Sequence, residues 1–178
     1  MAGVRDQSGT EAGAGPLALI VMRHAKAGEL PGGPDFERAL TGRGQRDAAA
    51  AGRWLRDSGL RPDAVLCSPA RRTRQTWQAV QAELGGEAVS CRFDEILYAA
   101  PAGPIREIIA DTAPGVTTLL CVGHNPSMAQ LAQEATGQPL EFPASAIAVA
   151  LLPGPWAAVA DGPGDLGGYW TPALAASG

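Results

Sequence analysis

The run Leu17–Met22, reading LALIVM and followed at once by Arg23 and His24, constrains this chain more than any other stretch. A short run with no polar position cannot alternate a wet face with a dry one. As a strand it must be buried on both faces, like an inner strand of a parallel sheet with helices above and below. In such sheets ligands bind beyond the carboxyl ends of the strands. Arg23 and His24 therefore emerge where a site is expected, one able to clamp an anion and the other to act as nucleophile or base. An Arg-His pair alone is a weak signal that reads more simply as a surface pair at a strand end, so the rest of the chain decides.

At 178 residues the sequence has length for one domain with a sizeable core. That domain is expected over residues 16–178, behind a flexible Gly/Ala/Ser tail at 1–15. No run approaches the ~18 apolar residues of a membrane span, and the N-terminal stretch lacks the apolar core of a signal peptide. A net charge of −4 gives no general attraction to nucleic acid or to an anionic membrane. Neither is expected as a partner, and the location expected is cytoplasmic. Cys67, Cys91 and Cys121 sit in or beside apolar runs without a CxxC pair, which fits reduced thiols. A cysteine phosphatase loop needs an arginine six residues after its cysteine, and that position after Cys67 is Thr73. Cys67 and Cys121 are expected to be packing residues.

Strand and helix signals alternate along the chain. After a Pro/Gly-rich loop at Gly28–Pro34, Thr41 reads as the N-cap of a helix reaching about Asp57, with Ala48, Ala51 and Leu55 on one face. A strand at Ala64–Cys67 leads into Ser68-Pro69 and a helix carrying Trp77, Val80 and Leu84. A strand at Ala88–Phe93, a short helix opened by Pro104 and a strand at Thr117–Val122 follow. Asn125-Pro126 then starts a helix lined by Met128, Leu131, Ala132 and Ala135. Ala146–Leu152 and Trp156–Ala160 read as a closing hairpin or edge strands, and the tail from Gly162 reads as irregular. The fold class this implies is a three-layer α/β/α sandwich around a mostly parallel sheet, with no large cap insertion.

Two junctions share one construction of strand, cap, proline and helix: Cys67-Ser68-Pro69 and Val122-Gly123-His124-Asn125-Pro126. Each leaves helix N–H groups and a positive dipole end on the side where Arg23 and His24 emerge. Ordinary capping accounts for part of this. Yet Arg71, Arg72 and Arg74 follow the first junction, and the second holds His124, the only histidine besides His24. A metal site is poorly supported, because a third ligand at a recognised spacing is missing and the arginines would repel a cation. A Walker-type GxxxxGK is absent too, Lys26 being the only lysine.

Arg23-His24-Ala25, Leu40-Thr41-x-x-Gly44, Ser68-Pro69-x-x-Arg72-x-x-Gln75-Thr76 and Gly123-His124-Asn125-Pro126, in this order and spacing, resemble the histidine phosphatase superfamily. The resemblance runs from about Leu17 to Ala135 and is strongest to the small, SixA-type phosphohistidine phosphatases. One departure is Ala25, where the superfamily usually has glycine. The resemblance implies that His24 attacks phosphorus through a neutral ring nitrogen and forms a phosphohistidine intermediate that water hydrolyses. It makes Arg23 and Arg72 phosphate ligands, which suits planar guanidinium groups, and His124 a further donor to the transferring group. No metal and no cofactor are implied, since these groups can supply the positioning and charge that phosphoryl transfer needs. For Arg71 and Arg74 a solvated helix face or substrate steering is expected.

Larger members protonate the leaving group with a carboxylate after the third strand, and here Glu95 is the candidate acid. An imidazole leaving group needs less help than an alkoxide, so a weak acid position would fit phosphohistidine. The short chain between Phe93 and Thr117 also leaves no room for a lid that would select small molecules. The expected partner is thus a protein phosphorylated on histidine. Two alternatives stay open: a phosphatase of small phosphate esters, and a non-catalytic phosphate- or partner-binding module. The nucleophile argues against the last, and the want of a lid and of a clear acid argues against a mutase.

Overall fold

β1 (Leu17–Arg23) lies inside a six-stranded sheet of order β3-β2-β4-β1-β5-β6, in a computed structural model that describes residues 15–176. β2 (Ala64–Cys67), β3 (Ser90–Phe93) and β4 (Thr118–Gly123) run parallel to β1 or to each other, while β5 (Ile147–Leu152) and β6 (Asp165–Trp170) close the sheet antiparallel. The expected tail at 1–15 falls outside the described residues, apart from Gly15. No helix among the described residues is long and apolar enough to cross a membrane.

The apolar run of β1 is buried on both faces, because successive side chains feed two different cores. Ala18, Ile20 and Met22 pack with Ala51, Leu55, Trp77 and Val80, from α1 (Gly42–Asp57) and α2 (Arg71–Leu84). Leu19 and Val21 pack on the other side with Ile105, Ile109, Met128 and Leu131, from α4 (Ala102–Ala110) and α5 (Ser127–Thr136). These are the three layers expected. Each fully buried Leu, Ile or Val contributes about 1.5–3 kcal/mol, so this strand is an anchor as well as a pointer. Cys67 and Cys121 are buried among the same residues. The Cys91 thiol and burial push Cys67 up, and burial pushes Cys121 up to about 12, so neither offers a thiolate.

Five expectations shift. Ser68-Pro69 precedes α2 rather than opening it: the helix begins at Arg71 with Ala70 at the N-cap and no side-chain cap. α4 begins two residues before Pro104, which sits in the first turn where a missing N–H costs nothing. Asn125 does not cap α5, because its Nδ2 donates to the Phe142 carbonyl at 2.8 Å. Trp156–Ala160 is not a strand: residues Trp156–Ala158 form a 3₁₀ turn, and the buried Trp156 indole donates to the Val116 carbonyl at 2.7 Å. The last strand is instead β6, inside the tail expected to be irregular. Its Gly167 hides the strand pattern for a packing reason, since a Cβ there would stand 2.7 Å from Leu151 Cγ.

The carboxyl ends of β1, β2 and β4 lie together, and the loop from Lys26 to Thr41 returns beside them. Thr41 caps α1 as expected: its Oγ1 accepts from Gly44 N–H at 3.0 Å and donates to the Lys26 carbonyl at 3.2 Å. Gly44 must be glycine here, because a Cβ would sit 2.1 Å from the Lys26 carbonyl oxygen. Gly44→Ala should therefore cost about 1–3 kcal/mol of overpacking. In a domain of this size that lowers Tm by roughly 2–4 °C per kcal/mol, readable by thermal melting. An unchanged Tm would mean that the loop after His24 is not clamped onto α1.

Candidate active site

Arg23 closes β1 and is hydrogen-bonded into the sheet on both sides. Its N–H donates to the Ala146 carbonyl at 3.1 Å, and the His24 N–H donates to Gly123 at 2.9 Å. β4 ends one residue before His124, and β2 ends one residue before Ser68, whose N–H donates to Val122 at 3.0 Å. α2 carries Arg72 in its first turn. His24 and His124 come together with ring centroids 5.1 Å apart, and Arg72 Nη2 lies 3.2 Å from His124 Nδ1. His24, His124 and Arg72 thus converge beyond the strand ends, with Arg23 leaving the sheet beside His24. Glu95 does not join them: it is exposed at the head of α3 (Ile96–Ala99), with no capping bond from its side chain. Arg71 and Arg74 are exposed on α2.

Hydrogen bonding fixes both imidazoles. His24 Nδ1 lies 2.8 Å from the Ala25 carbonyl. A carbonyl only accepts, so Nδ1 carries the proton and Nε2 keeps its lone pair. Ala25 is in turn held by its N–H on Thr76 Oγ1 at 3.0 Å, and Thr76 donates to the Arg72 carbonyl at 2.7 Å. Gln75 Oε1, its neighbour in the same motif, accepts from Leu40 N–H at 2.8 Å and ties down the returning loop. Ala25 is fully buried in this frame, so a methyl group is accommodated where glycine is usual. His124 has the opposite tautomer: Arg72 can only donate to Nδ1, so Nε2–H donates to Ser68 Oγ at 2.8 Å.

The sequence reasoning missed Ser68 as a partner of His124, and it also missed Asp35, Arg38 and Tyr98. Asp35 sits in a 3₁₀ turn (Asp35–Glu37) of the loop after β1. Its carboxylate accepts from Arg72 Nη2 at 2.9 Å, Arg38 Nη1 at 3.0 Å and Tyr98 O–H at 3.0 Å, while its backbone carbonyl takes Arg72 Nη1 at 2.7 Å. Tyr98, on α3, lies edge-on to His124 with centroids 5.4 Å apart. Three of the five guanidinium N–H groups of Arg72 are thereby engaged, leaving two, one of them on the buried and unpartnered Nε. Arg23 is similar, with Nη1 on the Phe142 carbonyl at 3.2 Å and a buried, unpartnered Nε. These donors suit an oxyanion. Among the described residues no cluster of three or more His, Cys, Asp or Glu side chains could hold a metal ion. A separate apolar groove of about 440 Å³ beside Leu17, Leu152 and Trp156 has no titratable residue in its lining.

Burial pushes His24 down to about 4, helped by Arg72, Arg23 and Arg38 against the opposing bond to Ala25. Burial likewise pushes His124 down to about 3, with His24 and Arg72 adding to it. Asp35 is held at about 2, chiefly by Arg38 and then by Arg72 and Tyr98, and so is a carboxylate at neutral pH. The unfolded chain would take up imidazole protons near pH 6.5 that the folded one refuses. The histidine contribution to stability is therefore full above pH 6.5 and is lost as pH falls through about 4. With only two histidines, ring NMR can read this directly. Both rings should stay neutral from pH 8 to 5.5, His24 as the Nδ1–H tautomer and His124 as the Nε2–H tautomer. A ring titrating at or above pH 6 would contradict this electrostatic account.

Comparison with known proteins gives this constellation its kin. The family model of the histidine phosphatase superfamily (branch 1) matches residues 19–112. An uncharacterized protein of Mycobacterium tuberculosis (strain ATCC 25618 / H37Rv) is 41% identical over 162 residues, which are 85% of this chain and 99% of that protein. A candidate phosphohistidine phosphatase SixA from Nakamurella multipartitia superposes with a TM-score of 0.80 at 32% identity, over 89% of this chain and 98% of its own. The protein histidine phosphatase SixA complexed with tungstate superposes with a TM-score of 0.77 at 26% identity, over 89% and 99%. On sequence and on fold alike, the chain belongs to the histidine phosphatase superfamily, with SixA proteins among its structural neighbours.

Proposed function

We propose that this protein removes phosphate from phosphohistidine on a partner protein, by way of a second phosphohistidine formed on His24. The observation that carries the reading is the 2.8 Å bond from His24 Nδ1–H to the Ala25 carbonyl, which leaves Nε2 unprotonated beside Arg72. The Nε2 lone pair would form the bond to phosphorus as the bond to the leaving nitrogen breaks, and water would then hydrolyse the enzyme-bound phosphate. Arg23 and Arg72 would bind the equatorial oxygens with the N–H groups that protein acceptors leave free. His124 would turn an N–H toward the transferring group by exchanging its bond to Ser68. The charge stabilisation would come from guanidinium groups, so the proposal includes no metal and no cofactor.

The likeness to SixA structures supports the substrate class, and so does the absence of a large insertion over the strand ends. A protein side chain can then reach the site. Small phosphate esters are the second reading, which needs a leaving-group acid. Glu95 remains the proposed acid for them, although its side chain is bonded to none of the four central residues; Asp35, ionised as it stands, has no proton to give.

Leaving-group protonation matters most for an alkoxide and least for an imidazole. Glu95→Gln should therefore change phosphohistidine hydrolysis less than about threefold, whereas Arg72→Ala should slow it on the order of a hundredfold or more, as for loss of an oxyanion donor. Steady-state rates on a phosphohistidine protein and on a sugar phosphate make the comparison. Efficient sugar-phosphate turnover that collapses in Glu95→Gln, with negligible phosphohistidine turnover, would overturn the proposal in favour of an ester phosphatase.

A further inference from the structure

We infer that Asp35 is the residue that selects the leaving group, favouring one that bears an N–H remote from the scissile bond, as the imidazole of phosphohistidine does. The inference rests on the phosphohistidine reading above. His24 lies at the strand end, on the floor of the site, and in-line displacement puts the leaving atom on the far side of phosphorus from Nε2. On this reading that side meets Asp35 and Tyr98, since Asp35 bonds Arg72, and Tyr98 bonds Asp35 and lies edge-on to His124. Asp35 has a half-exposed side chain, and Phe36 stacks edge-on against Tyr98 at 5.2 Å. A flat aromatic leaving group would find aromatic edges and a carboxylate there.

The carboxylate has capacity for one more donor. Two carboxylate oxygens offer about four acceptor positions. Oδ2 takes Arg72 and Tyr98, whereas Oδ1 takes only Arg38. The remaining position on Oδ1 suits an N–H from substrate. The chemistry gives that bond a purpose. When a phosphoimidazole keeps a proton on its remote nitrogen, cleavage returns the P–N electron pair to the other nitrogen and expels neutral imidazole. Without that proton it must expel imidazolate, a far poorer leaving group. A carboxylate that accepts the remote N–H holds the proton in place while His24 attacks, and no proton transfer is needed. For an alkyl ester the same carboxylate offers no benefit: the departing alkoxide needs a proton, and Asp35 is an ion held by two guanidiniums and a phenol.

The test compares two small substrates, N-phosphoimidazole and p-nitrophenyl phosphate, in the wild-type protein and in Asp35→Asn. The asparagine keeps the shape but not the charge. The ratio of kcat/KM for phosphoimidazole to that for p-nitrophenyl phosphate should fall at least tenfold in the variant. This ratio is internal to each preparation, so a smaller folded fraction cancels. Equal loss on both substrates would overturn the inference, reducing Asp35 to a positioning residue for Arg72; no loss on either would overturn it too. A wild-type protein that cleaves p-nitrophenyl phosphate but neither phosphoimidazole nor a phosphohistidine protein would instead bring down the functional reading beneath it.

Discussion

The site depends on a relay of hydrogen bonds that joins the end of β1 to the first turns of α2: His24 Nδ1–H to the Ala25 carbonyl, Ala25 N–H to Thr76 Oγ1, and Thr76 O–H to the Arg72 carbonyl. Each link is between 2.7 and 3.0 Å long. The relay chooses the tautomer of His24 and couples its orientation to the helix that carries Arg72. A neutral imidazole free to turn would present either nitrogen; this one is held with a lone pair on Nε2. The same few residues explain why the serine-proline motif ends in Gln-Thr. Thr76 is a strut under Ala25, and Gln75 holds the returning loop through Leu40.

Around that relay, charge is concentrated where the chain as a whole lacks it. The protein carries a net charge of −4, yet Arg23, Arg38 and Arg72 all bear on His24. Burial and these cations act in the same direction on both imidazoles, keeping them neutral. A neutral His24 is what nucleophilic attack would require, and cations beside it are what a phosphoryl group would require. Asp35 offsets part of that positive charge and orders Arg72 and Arg38 while doing so. The rim thereby combines an ordered carboxylate with aromatic edges.

Much of this architecture was legible in the sequence because it is written in residues with one physical meaning. LALIVM suits a strand buried on both faces and is one, Thr41 caps α1 as its spacing implies, and the two histidines sit at strand ends as expected. What escaped was written in residues with several meanings. Asp35 stands beside a Pro/Gly-rich loop, and no periodicity marks it; only the return of that loop onto Arg72 reveals its partners. Ser68 reads as a cap, yet its hydroxyl's closest bond is to His124 at 2.8 Å, against 3.4 Å for the Ala70 N–H, and the helix starts three residues later. β6 was hidden because glycines replace side chains where Leu151 and Trp54 press on it. Trp156 looks like a strand residue but plugs the far end of the sheet through its indole N–H. Glu95, the candidate acid after β3, stands apart from the cluster. The carboxylate that does meet Arg72 comes from the other side of the site.

The central claim is that His24 Nε2 carries the phosphoryl group between substrate and water. Rapid quenching during turnover, under alkaline conditions that preserve phosphoramidates, followed by mass-spectrometric peptide mapping, tests it most directly. The account predicts an acid-labile phosphate on the peptide containing His24, at Nε2 and not at Nδ1, appearing before product is released to water. Turnover at full rate with no phosphate on His24 at any time point would contradict it.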